Sequence, residues 1–520
     1  MKLFRSPDPL VTSRSALSRK RLFVPSDART WVFLIVALGL LLRLIPFLRV
    51  PSVWHDEAAL LINVVRLQCH QMFGGLLEHV GAPPLFLIAE RGMLHLFGDG
   101  IVSLRLIPFL AGCGSLIVVA HLAWRIVPKS AAPWAVALFA ISDRLLWHSV
   151  EAKPYAVDVF VAALLIEFFL LTRHLPLLKQ VLAAAPIMPV MVWFSYPSCF
   201  FVGAWFFVQF PALLRSRSGR DWLICVALAV AVIASFAALA LGPIHAQRDD
   251  ELNKCWVETF ADWQKPWTVP PWIVVNTLGL FSYSIGPNGW MLAPTIVLGS
   301  LYLWRMGQRS LLAMLTLPIA LACFAGMIGK YPYGDSRVCI YVAPIVCLLV
   351  GAGIPGTVEW LRRRTRWAVI AFWIVLSVPV GYSVFHIIVP WPRADNNAAC
   401  DYVLANWQSG DAVSFNQWEG QYYFRHQASA WFDPAMPNTD LPKRVWCVAI
   451  SQELSEREAL VSSIAPGRSV VERRDFRWSV VPNTWRTDDT GYLLVERREY
   501  RFVTVALFER PSTTSGPAIP

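Results

Sequence analysis

Two adjacent carboxylates, Asp56 and Glu57, stand in "VPSVWHDEAALLINVV" (50–65), directly after a long apolar run and just behind Trp54 and His55. A carboxylate held where an apolar segment meets water can take a proton from a bound hydroxyl and serve as a general base. It can also simply start a helix, with Asp56 as N-cap and Glu57 in the first turn, where the helix dipole favours negative charge. From Asp56, residues Asn63, Arg66 and His70 recur at helical spacing, while Leu60, Leu61, Val64 and Leu67 fall largely elsewhere. This pattern predicts an amphipathic helix lying along a membrane surface, its polar stripe headed by a carboxylate.

Further acids and cations stand at the ends of other apolar runs. "HSVEAKPY" (148–155) carries His148, Glu151, Lys153 and Tyr155; "SLRLIP" (103–108) carries Arg105; "GKYPYGDSR" (329–337) carries Lys330, Tyr331, Asp335 and Arg337. Taken singly, each reads as a solvated loop or a snorkelling anchor. Taken together they ring the outer ends of several helices, an arrangement that suits an anionic lipid phosphate beside a proton acceptor.

The elements that must position these groups are membrane helices. The chain of 520 residues is 56% hydrophobic and 16% charged, against about a quarter charged in soluble domains. Runs near the length needed to cross a bilayer lie at 31–49, 101–123, 131–148, 155–173, 179–196, 197–214, 222–243, 288–304, 310–328, 338–357 and 367–389. The net charge of +11 sits largely in short loops, so it sets topology and does not point to nucleic acid. These loops are the N-terminal tail, "WRIVPK" (124–129), "TRHLPLLK" (172–179), "RSRSGR" (215–220), "WRMGQR" (304–309) and "RRRTR" (362–366), all expected in the cytoplasm. The 24 tryptophans suit membrane interfaces.

One apolar stretch breaks the parity. "PPLFLIAERGMLHLFG" (83–98) is short and carries Glu90 and Arg91 in its middle, which is costly at a bilayer centre. Read as an interfacial helix, it leaves eleven spans, a cytoplasmic N-terminus and an outer C-terminus. The outer face then holds 50–100, 149–154, the Tyr196–Pro197 turn, 244–287, 330–337 and everything beyond about 390.

The expected fold is thus an α-helical polytopic membrane protein with a small C-terminal α/β domain. Residues 1–30 form a basic tail before a retained first helix, 31–389 the membrane domain, 390–510 the outer domain and 511–520 a disordered tail. Within the outer domain, "ADNNAACDYVLANWQSGDAVSFNQWEGQYYFRHQ" reads as helix, Gly-Asp turn, strand and helix. "RVWCVAI" and "GYLLVER" read as strands, and "SQELSEREALVSSIAPG" as a helix closed by Gly467. The ten cysteines show no zinc spacing; Cys400 and Cys447 lie where an oxidising compartment permits a disulfide.

In order, "WHDEA", "APPLFLIAERGMLHLFGDGIVSLRLIPFLAG", "HSVEAKPYAVDVFVAALL", "YPYGDSRVCIYVAPIVCLL" and "GDAVSF…GQYYFRH" resemble the GT-C glycosyltransferases. The nearest likeness is to the bacterial branch that includes protein O-mannosyltransferases and lipid A aminoarabinose transferases. The resemblance implies a multi-pass enzyme of a bacterial-type inner membrane. It would move a sugar, with inversion, from a polyprenyl-phosphate donor to a lipid, polysaccharide or protein acceptor on the periplasmic side. It implies Asp56 as the general base, with Glu57 able to substitute. Glu151 would position the acceptor or, with Asp56, help hold a divalent metal ion. Arg105, Lys153 and Arg337 would face the lipid phosphate, with His55, Tyr155 and Lys330 lining the same substrate region. The chain departs from the family at Ala82, where many relatives place histidine before the double proline. It departs again at Lys153, where many place arginine; lysine keeps the charge but loses the bidentate fork.

Two other classes fit a polytopic chain. A transporter or lipid flippase would show internal repeats and polar or broken helices at the midplane; here most carboxylates sit at one rim, with Asp143, Asp158 and Glu167 as exceptions. A non-catalytic assembly protein for surface polysaccharide would tolerate loss of both Asp56 and Glu57.

Overall fold

A computed structural model describes residues 28–248, 254–432, 441–464 and 492–510. The basic tail up to residue 27, the helix stop at Gly467 and the tail 511–520 lie outside the described residues. The chain is a polytopic membrane protein: among the described residues, nine helices are long and apolar enough to cross a bilayer.

The membrane domain opens with α1 (Ala28–Arg49), then α2 (His55–Arg66) and α3 (Pro84–Phe97). At 14 residues α3 falls short of a span. Next come α4 (Leu106–Ile126), α5 (Ala132–Ile141), α6 (Asp143–His148) and α7 (Tyr155–Thr172). The expected span at 131–148 is therefore broken at Ser142, whose hydroxyl donates to the Ser284 carbonyl at 3.0 Å.

The second half contains α8 (Leu177–Ala184), α9 (Met188–Phe194), α10 (Ser198–Arg215), α11 (Gly219–Leu239) and α12 (Val269–Ile285). It ends with α13 (Ala293–Arg305), α14 (Arg309–Met327), α15 (Ala343–Arg362) and α16 (Arg366–Ile388). Of the two expected spans absent from the nine, one is the α5–α6 pair and the other, 288–304, is the 13-residue α13 behind a single 3₁₀ turn. Helix α12 lies in what reads as an outer loop. Its "VPP" start resembles a linker, yet proline is accepted in a first helical turn, where its missing N–H has no partner to lose. Helix α15 is buried along most of its length and forms the axis of the bundle. Gly299 and Gly353 let α13 and α15 meet backbone to backbone; a Cβ at either would fall 1.9 Å from a carbonyl oxygen of the other helix.

The outer domain is a four-stranded sheet in the order β1-β2-β4-β3. Its elements are α17 (Asn396–Ala405), β1 (Asp411–Phe415), α18 (Trp418–Tyr423), β2 (Arg444–Ile450), α19 (Leu454–Ile464), β3 (Leu493–Tyr500) and β4 (Val503–Glu509). Strands β1 and β2 are parallel, and the β2–β4 and β4–β3 pairs are antiparallel. Cys400 and Cys447 are both free and belong to separate hydrophobic clusters, with α17 and Trp446 on one side and α19 on the other, so no disulfide joins them.

The bundle has two distinct ends. At one, Arg173 donates to Gln308 at 2.7 Å, joining two of the basic loops. At the other, the starts of α2, α4 and α7 meet the 330–337 loop and the outer domain. Single cysteines at Lys129, Arg217 and Arg364, in a background without the exposed Cys69 and Cys255, are expected to react only with reagent applied from the cytoplasm. Those at the exposed His95 and Gln408 should react only from outside. Cytoplasmic labelling at position 95 would reverse the assignment of the two ends.

Candidate active site

Helix α2 starts at His55, two residues earlier than a cap at Asp56 requires. This small phase difference separates the two carboxylates. Glu57 falls at the third helical position, turns inward and is fully buried. It accepts the Trp54 backbone N–H at 3.2 Å, so the capping role belongs to Glu57 and not to Asp56. It also accepts the Ala152 N–H at 2.8 Å and a bidentate pair from Arg105, at 2.7 Å from Nε and 2.6 Å from Nη2. Burial alone would raise the Glu57 pKa, but Arg105 and Arg393 outweigh it and hold the carboxyl below the ordinary glutamate range.

Three N–H groups of Arg105 are engaged in this arrangement. Besides Glu57 it donates to the Pro51 carbonyl at 2.7 Å, and it is only 2% exposed. The structure therefore places Arg105 as the tie between α2 and the start of α4. Glu57, with its lone pairs taken, is likewise a positioning residue.

Asp56 turns the other way. Its carboxylate pairs with Arg337, at the head of α15, and remains partly exposed. Lys153 stands close behind: its charge acts on Asp56, and among the described residues no hydrogen bond or ion pair engages its ammonium. Burial tends to raise the Asp56 pKa, but Lys153, Arg337 and His55 together hold it below the ordinary aspartate range. Burial lowers the Lys153 pKa, Asp56 offsets part of that, and Arg337 adds to it.

Arg337 lines a cavity of about 330 Å³ together with Trp256, Tyr283, Asp335 and Ser336. Its guanidinium lies 6.0 Å from the Tyr155 ring centre. Tyr155 in turn meets the His148 ring edge-on at 4.8 Å. Glu151 is buried and bound to His148 Nδ1 at 2.9 Å, and His148 Nε2 lies 2.9 Å from the Tyr283 hydroxyl. Glu151 thus holds an imidazole that reaches the cavity wall through Tyr283.

Two expected residues sit outside this constellation. His55 stacks on Trp418 at 4.3 Å and lies 3.1 Å from Glu419, so it docks α2 onto the outer domain. Lys330 is exposed on its loop, where its carbonyl accepts from Arg248 at 3.3 Å.

Among the described residues, no three His, Cys, Asp or Glu side chains gather as a group that could hold a metal ion. Asp56 and Glu151, the pair the family resemblance offers as ligands, are taken by Arg337 and His148. These donors do not fit a metal centre.

Four functional neighbours carry no motif. Tyr283 comes from the unexpected α12, and Glu419 from α18. Arg393 lies 3.8 Å from Glu57 and over the Trp147 ring at 4.1 Å. Its only sequence signal is a cation in "PWPRADNN", just past the last span. Glu90 is buried with both oxygens unpartnered among the described residues, and burial, reinforced by the Glu57 charge, pushes its pKa well up.

The whole chain superposes on ArnT from Cupriavidus metallidurans bound to undecaprenyl phosphate, with a TM-score of 0.52 at 12% identity, covering 94% of this chain and 100% of that one. The fold is GT-C. The apo state of the same protein gives a TM-score of 0.50 at 12% identity over 92% and 98% of the two chains. An Archaeoglobus fulgidus oligosaccharyltransferase follows with a TM-score of 0.44 at 14% identity over 76% and 61%. No family model and no curated protein matches the sequence. Within the GT-C fold, the cavity beside Arg337 is lined by the loop before α12, by Tyr283 of α12 and by residues 335–337 ahead of α15.

Proposed function

We propose that this chain is a membrane glycosyltransferase that moves a sugar from a polyprenyl-phosphate donor to an acceptor hydroxyl or amine, with inversion at the anomeric carbon. The observation that carries this reading is the partly exposed carboxylate of Asp56, paired with Arg337 on the wall of a cavity and with Lys153 close by, in a GT-C fold. The fold it shares with an undecaprenyl-phosphate-bound protein supports the choice of donor.

In this reaction the acceptor's oxygen or nitrogen attacks the anomeric carbon. Its proton passes to Asp56, and the bond from the anomeric carbon to the phosphate oxygen breaks with its electron pair going to the phosphate. The leaving group is already anionic, so cations that stabilise it matter more than a proton donor. Arg337 and Lys153 supply them. Because Arg337 pairs with Asp56, a donor phosphate competing for that guanidinium releases the carboxylate and makes it more basic. The base is then strongest when the donor is in place.

The Asp56 pKa also fixes a pH dependence. Its depressed value keeps it ionised as pH falls through the ordinary aspartate range, and the base is lost only below that. In kcat/KM, which reports the free enzyme, the plateau is therefore expected to hold through the ordinary aspartate range and to fall only below about pH 4. An acid limb centred at pH 6 or above would point to a different base. The reaction itself is tested by mass spectrometry of surface lipids, polysaccharides and proteins from cells with and without the protein. The expected result is loss of one sugar's mass from one of these acceptor classes.

A further inference from the structure

We propose that a second cavity, separate from the one beside Arg337, binds the phosphate head of a membrane lipid. It also measures about 330 Å³, and it lies between the C-terminal ends of α1 and α16, helix α6 and the start of the outer domain. None of the residues lining the first cavity lines the second. A wall of side chains separates them. The Trp147 ring meets Trp54 edge-on at 6.1 Å and Trp391 at 6.4 Å. The Arg144 guanidinium sits 5.2 Å from Tyr283 on the first side and 5.4 Å from Trp391 on the second.

The second cavity is built in two layers. Leu42, Ile45, Leu146 and Ile387 give it an apolar floor among helix ends whose neighbours Leu48 and Ile388 face outward to lipid. Arg49, Arg393 and Arg501 give it a cationic rim. Arg49 donates one hydrogen bond, to the Ile387 carbonyl at 2.9 Å, and Arg393 donates to the Ser52 carbonyl at 2.9 Å. Among the described residues no carboxylate lies within ion-pair distance of Arg49 or Arg501, and a guanidinium carries five N–H donors, so donors are left over. Two carboxylates line the same space. Asp143 is engaged by the Trp391 Nε1 at 3.2 Å and faced by His386 Nδ1 at 3.3 Å without hydrogen-bond alignment, and Asp395 heads α17.

An apolar floor at the level of the helix ends and a rim of arginines match a ligand with hydrocarbon below and a phosphate above. Arginine binds phosphate bidentately, and basic pockets between membrane helices hold anionic lipid heads. The site goes beyond the transfer reaction and stands whether or not the chain moves a sugar.

The test uses the full chain purified in detergent and native mass spectrometry with dioleoyl-phosphatidylglycerol, undecaprenyl phosphate and dioleoylglycerol as probes. At least one phosphate lipid should be retained where dioleoylglycerol is not, and which one it is identifies the source of the phosphate. Arg49→Ala combined with Arg501→Ala should weaken that retention by about tenfold or more, the worth of one or two charge-assisted hydrogen bonds. Ile45→Trp, which fills the apolar floor and leaves every charge in place, should do the same and covers the case in which the double variant misfolds. Arg337→Ala, in the first cavity, should lower only the undecaprenyl phosphate held there as donor and leave retention of dioleoyl-phosphatidylglycerol unchanged. Equal retention of dioleoylglycerol, or phosphate-lipid retention indifferent to Ile45→Trp, overturns the proposal.

Discussion

Asp56→Asn is expected to lower sugar transfer by about 10²–10⁴-fold, the usual contribution of a general base, while the protein stays folded. The amide is close to isosteric, and Asp56 does not cap α2, so its loss as a carboxylate removes the pair with Arg337 and the charge that partly offsets the burial of Lys153. That pair is partly exposed and worth little to stability, on the order of 1 kcal/mol or less. Donor binding should survive or strengthen, because Arg337 no longer has a competing carboxylate. The signature is thus a collapse in kcat with thermal stability nearly unchanged. Small, similar effects of Asp56→Asn and Glu57→Gln, expressed only through stability, would instead mean that the opening stretch is a helix start and nothing more.

Arg105→Ala is expected to destabilise the membrane domain by about 3–5 kcal/mol, the cost of leaving a buried ion without its partner. Glu57 would keep only the Ala152 and Trp54 N–H groups and a distant Arg393. The measurement is thermal unfolding of the purified protein in detergent, beside recovery of folded protein from the membrane. Glu57→Gln should be milder, since the amide oxygen can still accept some of these bonds, but it should act through stability and not through a selective loss of kcat. The pH sense follows from the depressed Glu57 pKa. The stabilisation is fully present above the unfolded glutamate value, near 4.3, and is lost only as pH falls through the lower folded value. An Arg105→Ala protein as stable as the parent, with a raised KM for the lipid donor, would restore Arg105 to the phosphate site.

Apolar run length and loop charge make most of the bundle legible in the sequence, because a bilayer imposes a length and an interior without charge. The two places where the reading differs are local. Ser142 breaks a span by bonding to Ser284, a partner 142 residues away. Helix α12 hides behind two prolines that suit a linker as well as a first helical turn. The site was legible as a set of residue types and not as a set of contacts. Asp56 and Glu57 differ by one step of helical phase, and a pattern that tolerates a one-residue shift cannot say which turns inward. Arg105 reads as a free cation because its partner Glu57 lies 48 residues away. His55 reads as a substrate neighbour, yet it meets Trp418 and Glu419 of a domain more than 350 residues further along. Tyr283 and Arg393 carry no motif and become functional candidates only through folding.

The central claim is that Asp56 drives transfer from a polyprenyl-phosphate sugar. The most direct measurement incubates the purified full-length protein, in lipid nanodiscs, with labelled polyprenyl-phosphate sugars and membrane extract as acceptor, and follows both released polyprenyl phosphate and labelled product. The account predicts that the two appear in equal amounts, that the product has the opposite anomeric configuration to the donor, and that Asp56→Asn abolishes both while still retaining the donor lipid. Full transfer by Asp56→Asn, or a product that retains the donor configuration, would contradict it.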